Sequence, residues 1–120
     1  MIKGLGIDVV DVKRFKKLAG ADSFLKRIFT PREISYCRKK KNSSLNLAGR
    51  FAVKEAFIKA VSDNKRISLK QIETVNNEDG KPDIVLNDAV KKLLKKKRAK
   101  KVIISITHTE ITAAAVCILE

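Results

Sequence analysis

The sequence predicts an α+β fold: a single small domain in which an antiparallel-type sheet packs with a long central helix. Three observations carry this. The chain has 120 residues, the size of one domain, 1–120, with room for a real core. Five β-rich stretches and three or four helical ones follow one another in no steady βαβ alternation, which argues against a doubly wound sheet. One helical stretch, residues 45–61, is apolar around most of its girth and so belongs inside the molecule.

Residues 2–10 form the first strand, rich in Ile2, Leu5, Ile7, Val9 and Val10. Leu5, Ile7 and Val9 share one face, and Gly4, Gly6 and Asp8 share the other. The glycine face admits two readings. Another element packs close against the backbone, or a ligand approaches the backbone beside a carboxylate. Residues 11–28 read as one or two short helices broken near Gly20, with Phe15, Leu18, Phe24, Leu25 and Ile28 as the apolar positions. Thr30-Pro31-Arg32-Glu33 then opens a helix over 31–39. Thr30 is a good N-cap, Pro31 suits the first helical position, and Glu33 completes a capping box. Residues 39–44 form a polar loop.

In the helix over 45–61, Leu47, Phe51, Phe57, Ile58 and Val61 make a broad apolar arc. Lys54 falls inside this arc. Glu55 falls at its edge, beside the small Ala48 and Ala52. Charges so placed are rare unless paired or bound to an ion. An i, i+4 pair of Glu55 with Lys59 would explain Glu55 in part and Lys54 not at all. Residues 72–78 and 83–86 read as two strands around a hairpin turn, Asn77 to Pro82. Asn87 or Asp88 caps a helix over 88–97, whose apolar stripe packs on the sheet while its lysines meet water. Residues 102–107 and 111–118 complete the strands, joined near Thr107-His108-Thr109-Glu110.

Composition bounds the function. Apolar residues are 44% and charged residues 33%, with only 5 Gly and 2 Pro, which excludes a disordered or collagen-like chain. The net charge of +14 calls for an anionic partner. The longest apolar run, Ala113–Leu119, is too short to span a bilayer, and the first residues carry no signal-peptide pattern. Cys37 and Cys117 lack CxxC spacing and the chain has one His, so a zinc site is not expected. These features suggest a reduced, cytoplasmic protein with structural thiols.

Searches for GxxxxGK[ST], GxGxxG, HExxH and GxSxG find nothing. A serine triad would need His108, and Ser105 points to the opposite face of the same strand. What remains is Asp8 and Glu55 in unusual settings, with lysines and a turn histidine. Two carboxylates with open coordination positions suit Mg²⁺, which prefers a few carboxylates, water and substrate phosphates. Lys and His suit a phosphate or pyrophosphate. Together they point to phosphoryl-type transfer. A rival reading is a small basic nucleic-acid-binding protein that uses Lys91 to Lys101. Its aromatic content is low, and that reading leaves both carboxylates unexplained.

Five blocks recur in order: Gly6-Ile7-Asp8-Val9-Val10, Phe29-Thr30-Pro31-Arg32-Glu33, Leu47 to Ala60 around Lys54-Glu55-Ala56, Gly80-Lys81-Pro82, and Ser105-Ile106-Thr107-His108-Thr109. In these the sequence resembles the holo-[acyl-carrier-protein] synthases, the small bacterial class of phosphopantetheinyl transferase. The resemblance covers nearly the whole chain. It implies a 4'-phosphopantetheinyl transferase-like fold and transfer of the phosphopantetheine arm of coenzyme A to a serine of apo acyl carrier protein. Adenosine 3',5'-bisphosphate is the other product, and the reaction serves fatty acid biosynthesis. It also implies a homotrimer with active sites at the subunit clefts, and neither a nucleic-acid nor a membrane partner. Carried over by position, Asp8 and Glu55 would hold Mg²⁺, with Glu55 as the better candidate to take the serine proton. Lys59 would bind phosphate oxygens near the leaving group. His108 would donate to a coenzyme A phosphate, with Thr107 beside it in the same cofactor-binding stretch. Arg50, Gly80, Lys81 and Pro82 would lie near the nucleotide end, and Arg14 would meet the acidic carrier protein.

Overall fold

In the computed structural model, which describes residues 1–18, 20–63 and 67–120, the first strand, β1 (Gly4–Asp11), is an edge of a three-stranded antiparallel sheet. The order is β1-β5-β4, with β4 spanning Val102–His108 and β5 Thr112–Leu119. Asp8 stands opposite Ala115, and Ile106 stands opposite the same residue from the other side. Short β-branched and alanine-rich strands joined by a tight turn pair in this way without long crossovers.

Helix α4 (Ser43–Val61) lies along the sheet. It starts two residues earlier than the sequence predicts because Asn42 caps it, accepting a hydrogen bond from the Leu45 amide at 3.2 Å. Twelve of its residues are buried, from Leu47 to Val61, on nearly all sides. The contact with β1 is a backbone-to-backbone one. A Cβ built on Gly6 would sit 1.9 Å from the Ala56 carbonyl oxygen, and one on Gly4 2.3 Å from that of Ala60. The close-packing reading of the glycines therefore holds, and the glycine face of β1 is the inner one. The aliphatic face is the outer one: Leu5, Ile7 and Val9 are 62%, 62% and 63% exposed.

On the far side of α4 lie three shorter helices, α1 (Val12–Leu18), α2 (Asp22–Ile28) and α3 (Pro31–Arg38). The capping box forms as expected, Thr30 and Glu33 exchanging side-chain to backbone hydrogen bonds. Phe15 packs against the rings of both Phe29 and Phe51, at 6.1 and 5.4 Å, and ties α1 to α4. A single 3-10 turn, Leu69–Gln71, is an element with no counterpart in the sequence prediction. It leads into the hairpin β2 (Thr74–Asn76) and β3 (Pro82–Ile84), shorter strands than expected. Gly80 makes the turn possible at φ +81°. Helix α5 (Asp88–Lys96) is capped by Asn87 and buries Val90, Leu93 and Leu94 beneath exposed lysines, as expected. Both cysteines are buried and unpaired. Burial pushes the thiols up to about 11 for Cys37 and about 12 for Cys117, so neither is a nucleophile near neutral pH.

Candidate functional site

Two neighbouring groups of polar residues flank α4 toward the sheet. The first is carboxylate-based. Asp8 sits on the inner face of β1, two residues beyond the Gly6 contact. Glu55 projects from α4 next to Ala56, the residue Gly6 touches. The close approach of strand to helix therefore sets the two carboxyls beside one another. Burial, and then the like charge of Asp8, hold the Glu55 carboxyl above its usual range, while Lys59 and Arg14 pull the other way. Lys59 extends across the cleft. Its ammonium donates to Asp8 Oδ1 at 3.1 Å and to the Ile7 carbonyl at 3.0 Å. The i, i+4 pairing of Glu55 with Lys59 is thus displaced by an ion pair between helix and strand. Arg14, on α1, lies over the Phe51 ring at 5.4 Å and is exposed at the edge of this cleft.

The second group surrounds a cavity of about 200 Å³ lined by Tyr36, Asn46, Arg50, Asn76, Pro82 and His108, among others. Arg50 is only 4% exposed. Its guanidinium stacks on Tyr36 at 4.1 Å and donates to Asn76 Oδ1, while its Nε is buried without a partner. A buried cation with an unused donor is costly unless an anion joins it. His108 closes the cavity from the end of β4.

Most of the expected residues therefore fall into these two groups. Asp8, Glu55, Lys59 and Arg14 form one; Arg50, Pro82 and His108 form the other. Gly80 and Lys81 do not line the cavity but shape the turn above it, the Gly80 carbonyl accepting from Asn76 Nδ2 at 2.9 Å. Thr107 is different. Strand alternation turns it to the outer face of the sheet, opposite Ala114, away from His108 and from the cavity of its own chain. Tyr36, Asn46 and Asn76 were not legible as site residues, because no local pattern marks them; only the turn composition around Asn77 hinted at the last.

Lys54 also resolves. It is not in the cleft but fully buried, its ammonium donating to Glu33 Oε1 at 2.8 Å and to the Leu69 and Ile72 carbonyls at 2.9 and 2.5 Å. A larger hollow of about 840 Å³ runs along α5, but it is lined by Asp88, Ala89, Leu93 and lysines and holds none of these groups. Among the described residues, no three His, Cys, Asp or Glu side chains cluster to hold a metal by themselves. The Asp8–Glu55 pair does fit a hard cation that keeps coordination positions for water and phosphate oxygens. The like charge of Asp8, which adds to burial in raising the Glu55 carboxyl, is what such a cation relieves.

The chain is similar to known proteins along its whole length. The model of the 4'-phosphopantetheinyl transferase superfamily matches residues 4–116. A holo-[acyl-carrier-protein] synthase of Geotalea daltonii is 40% identical over 124 residues, covering 100% of this chain and 99% of that protein. The crystal structure of holo-[acyl-carrier-protein] synthase from Neisseria meningitidis superimposes with a TM-score of 0.89 at 33% identity, covering 100% and 99% of the two chains. That of the Helicobacter pylori enzyme, in complex with coenzyme A, gives 0.82 at 30% identity, covering 97% and 99%.

Proposed function

The chain belongs to the 4'-phosphopantetheinyl transferase superfamily, and we propose that it is a holo-[acyl-carrier-protein] synthase that uses the two groups on α4 as one active site. It transfers the 4'-phosphopantetheine group of coenzyme A to a serine of apo acyl carrier protein. The serine oxygen forms a bond to the phosphorus that carries the pantetheine arm. The bond from that phosphorus to adenosine 3',5'-bisphosphate breaks. The carrying observation is the pairing of a carboxylate cleft with a buried, partly unsatisfied arginine across one helix. The relatives' names and the coenzyme A complex of the Helicobacter pylori enzyme support the reading. They give no support to nucleic-acid binding.

Arg50, His108, Pro82 and the Gly80-Lys81 turn hold the nucleotide end of coenzyme A, with the unpartnered Arg50 Nε–H aimed at a phosphate. Asp8 and Glu55 would hold Mg²⁺, which when bound would supply charge neutralisation at the pyrophosphate. Lys59 leaves its pair with Asp8 to contact phosphate oxygens by the leaving group. Glu55, beside the incoming serine, accepts its proton through water. Arg14, exposed at the cleft edge, meets an acidic residue of the carrier.

The active unit is a homotrimer with shared clefts. The outer face of the sheet supports this, since it is built in apolar rows across the strands. Leu5, Ile118 and Ile103 align, as do Ile7 and Val116 with Ser105, and Val9 and Ala114 with Thr107. A face of this kind left to water marks an association surface. It also gives Thr107 a place at a subunit seam. Among the described residues no helix is long and apolar enough to cross a membrane, and a cytoplasmic location suits both substrates. Mass spectrometry of apo carrier protein incubated with the chain, coenzyme A and Mg²⁺ tests the activity. A gain of one phosphopantetheine is expected, and an unmodified carrier refutes it.

A further inference from the structure

The Thr30-Pro31-Arg32-Glu33 motif touches neither the carboxylate cleft nor the cavity, yet it carries the most heavily bonded buried group in the described structure. Glu33 and Lys54 are both fully buried as side chains, 2.8 Å apart. Glu33 Oε1 also accepts from the Thr30 amide at 3.0 Å, and its Oε2 from the Thr74 amide at 3.2 Å. Lys54 uses its remaining protons on the Leu69 and Ile72 carbonyls. Outside this pair, Glu73 accepts from Arg32 at 2.6 and 3.2 Å and from the Thr30 hydroxyl. Apart from the cap at Thr30, what Glu33 and Lys54 grip lies in the segment that enters and begins β2, and Arg32 and the Thr30 hydroxyl hold Glu73 in that same segment.

Two residues further along β2 is Asn76, whose Oδ1 accepts from Arg50. Arg50 and Lys54 are one turn apart on α4, and so share a face. Two buried cations on one helix thus bracket the same short strand: Arg50 holds Asn76 at its far end, and Lys54 holds the segment that enters it, through the Leu69 and Ile72 carbonyls and through Glu33, which accepts from the Thr74 amide. A three-residue strand with one hairpin partner has little stability of its own, so its position depends on these attachments. The opposite cleft, Asp8 with Lys59, is attached to β1 and owes nothing to them.

We propose that the buried Glu33–Lys54 pair is a positioning device for coenzyme A binding: it seats β2 on α4 so that Asn76 holds Arg50 at the cavity before the substrate arrives. The proposal rests on the functional reading above. It separates two roles on one helix. The clamp governs the nucleotide half of the site, and the carboxylates govern the chemical step.

Transfer kinetics on the full chain test this, with coenzyme A varied at saturating apo carrier protein. Glu33→Gln and Asn76→Ala each raise the KM for coenzyme A about tenfold and leave kcat within about twofold. Because both act through Arg50, the double variant is no worse than the more damaging single one. A merely structural role for Glu33 lowers the melting temperature and the amount of active enzyme and leaves KM alone. Should Glu33→Gln fail to fold, Glu33→Gln/Lys54→Met removes both charges at similar volume and carries the same expectation. An unchanged KM in Asn76→Ala or in the folded Glu33 variant, or effects that multiply, overturns the proposal. A wild-type chain that does not transfer at all overturns the functional reading, and the clamp with it; an active wild type with unshifted variants overturns the clamp alone.

Discussion

Gly6→Ala tests whether the strand–helix contact builds the site. In the native protein the α4 backbone lies directly on Gly6. The added Cβ would meet the Ala56 carbonyl oxygen at 1.9 Å, the Ala60 amide nitrogen at 2.8 Å and the Ala56 carbonyl carbon at 2.9 Å. All three are backbone atoms, so no side chain can swing away. The nearest contact must grow from 1.9 Å to at least 3.0 Å, a retreat of roughly 1 Å. Forcing one methyl into a packed interface costs about 1–3 kcal/mol. The same shift separates Asp8, on the strand, from Glu55, next to Ala56 on the helix. A displacement of about 1 Å in catalytic geometry lowers turnover by up to about 10²-fold. The expected result is a urea midpoint lowered in proportion to that cost and a kcat reduced beyond any loss of folded protein. Gly20→Ala is the control. Nothing lies within 4 Å of a Cβ there, so stability stays the same or rises by about 0.4–1 kcal/mol. Wild-type stability and kcat in Gly6→Ala would refute the argument that this contact sets the carboxylate spacing.

Asp8→Ala and Glu55→Ala each abolish transfer and retain the native circular dichroism spectrum; full activity in either folded variant removes that residue from the metal pair. Arg14→Glu raises the KM for the carrier protein by about tenfold at low salt and leaves that for coenzyme A nearly unchanged. The effect shrinks as salt rises, since exposed charges are screened within about 10 Å at 0.1 M. Ile7→Glu, which places a charge in the middle row of the exposed apolar sheet face, on its edge strand, yields a monomer by light scattering. A trimer that survives it relocates the interface. Arg32→Ala destabilises the protein in a pH-dependent way. The hydrogen bond from Arg32 is the main cause holding the Glu73 carboxyl below its ordinary value of 4.5, so its stabilisation is present above that value and is lost as pH falls through the lower, folded one. Melting curves of the variant and the wild type should differ at neutral pH and converge in acid.

Local rules made much of this protein legible from its residues alone. The capping box at Thr30 and Glu33, the Asn87 cap and the Gly80 turn obey hydrogen-bond and backbone preferences that act over three or four residues. The α+β class followed from the order of periodic segments, and Asp8 and Glu55 stood out because a carboxylate among glycines or alanines lacks an ordinary reason to be there. What the tertiary structure decided was direction and partnership. Alternation divided β1 into two faces but could not say that the glycine face lies inward, because that depends on how closely α4 approaches. The same approach leaves Leu5, Ile7 and Val9 outside, exposed to water. Lys54 was an unexplained charge until Glu33, 21 positions away, and two carbonyls near residue 70 were brought to it. Asn76 and Tyr36 joined the cavity only through Arg50, and Thr107 left it because a strand turns adjacent residues to opposite sides. A buried charge is stable only with its partner, and sequence separation carries no record of which distant group that partner will be.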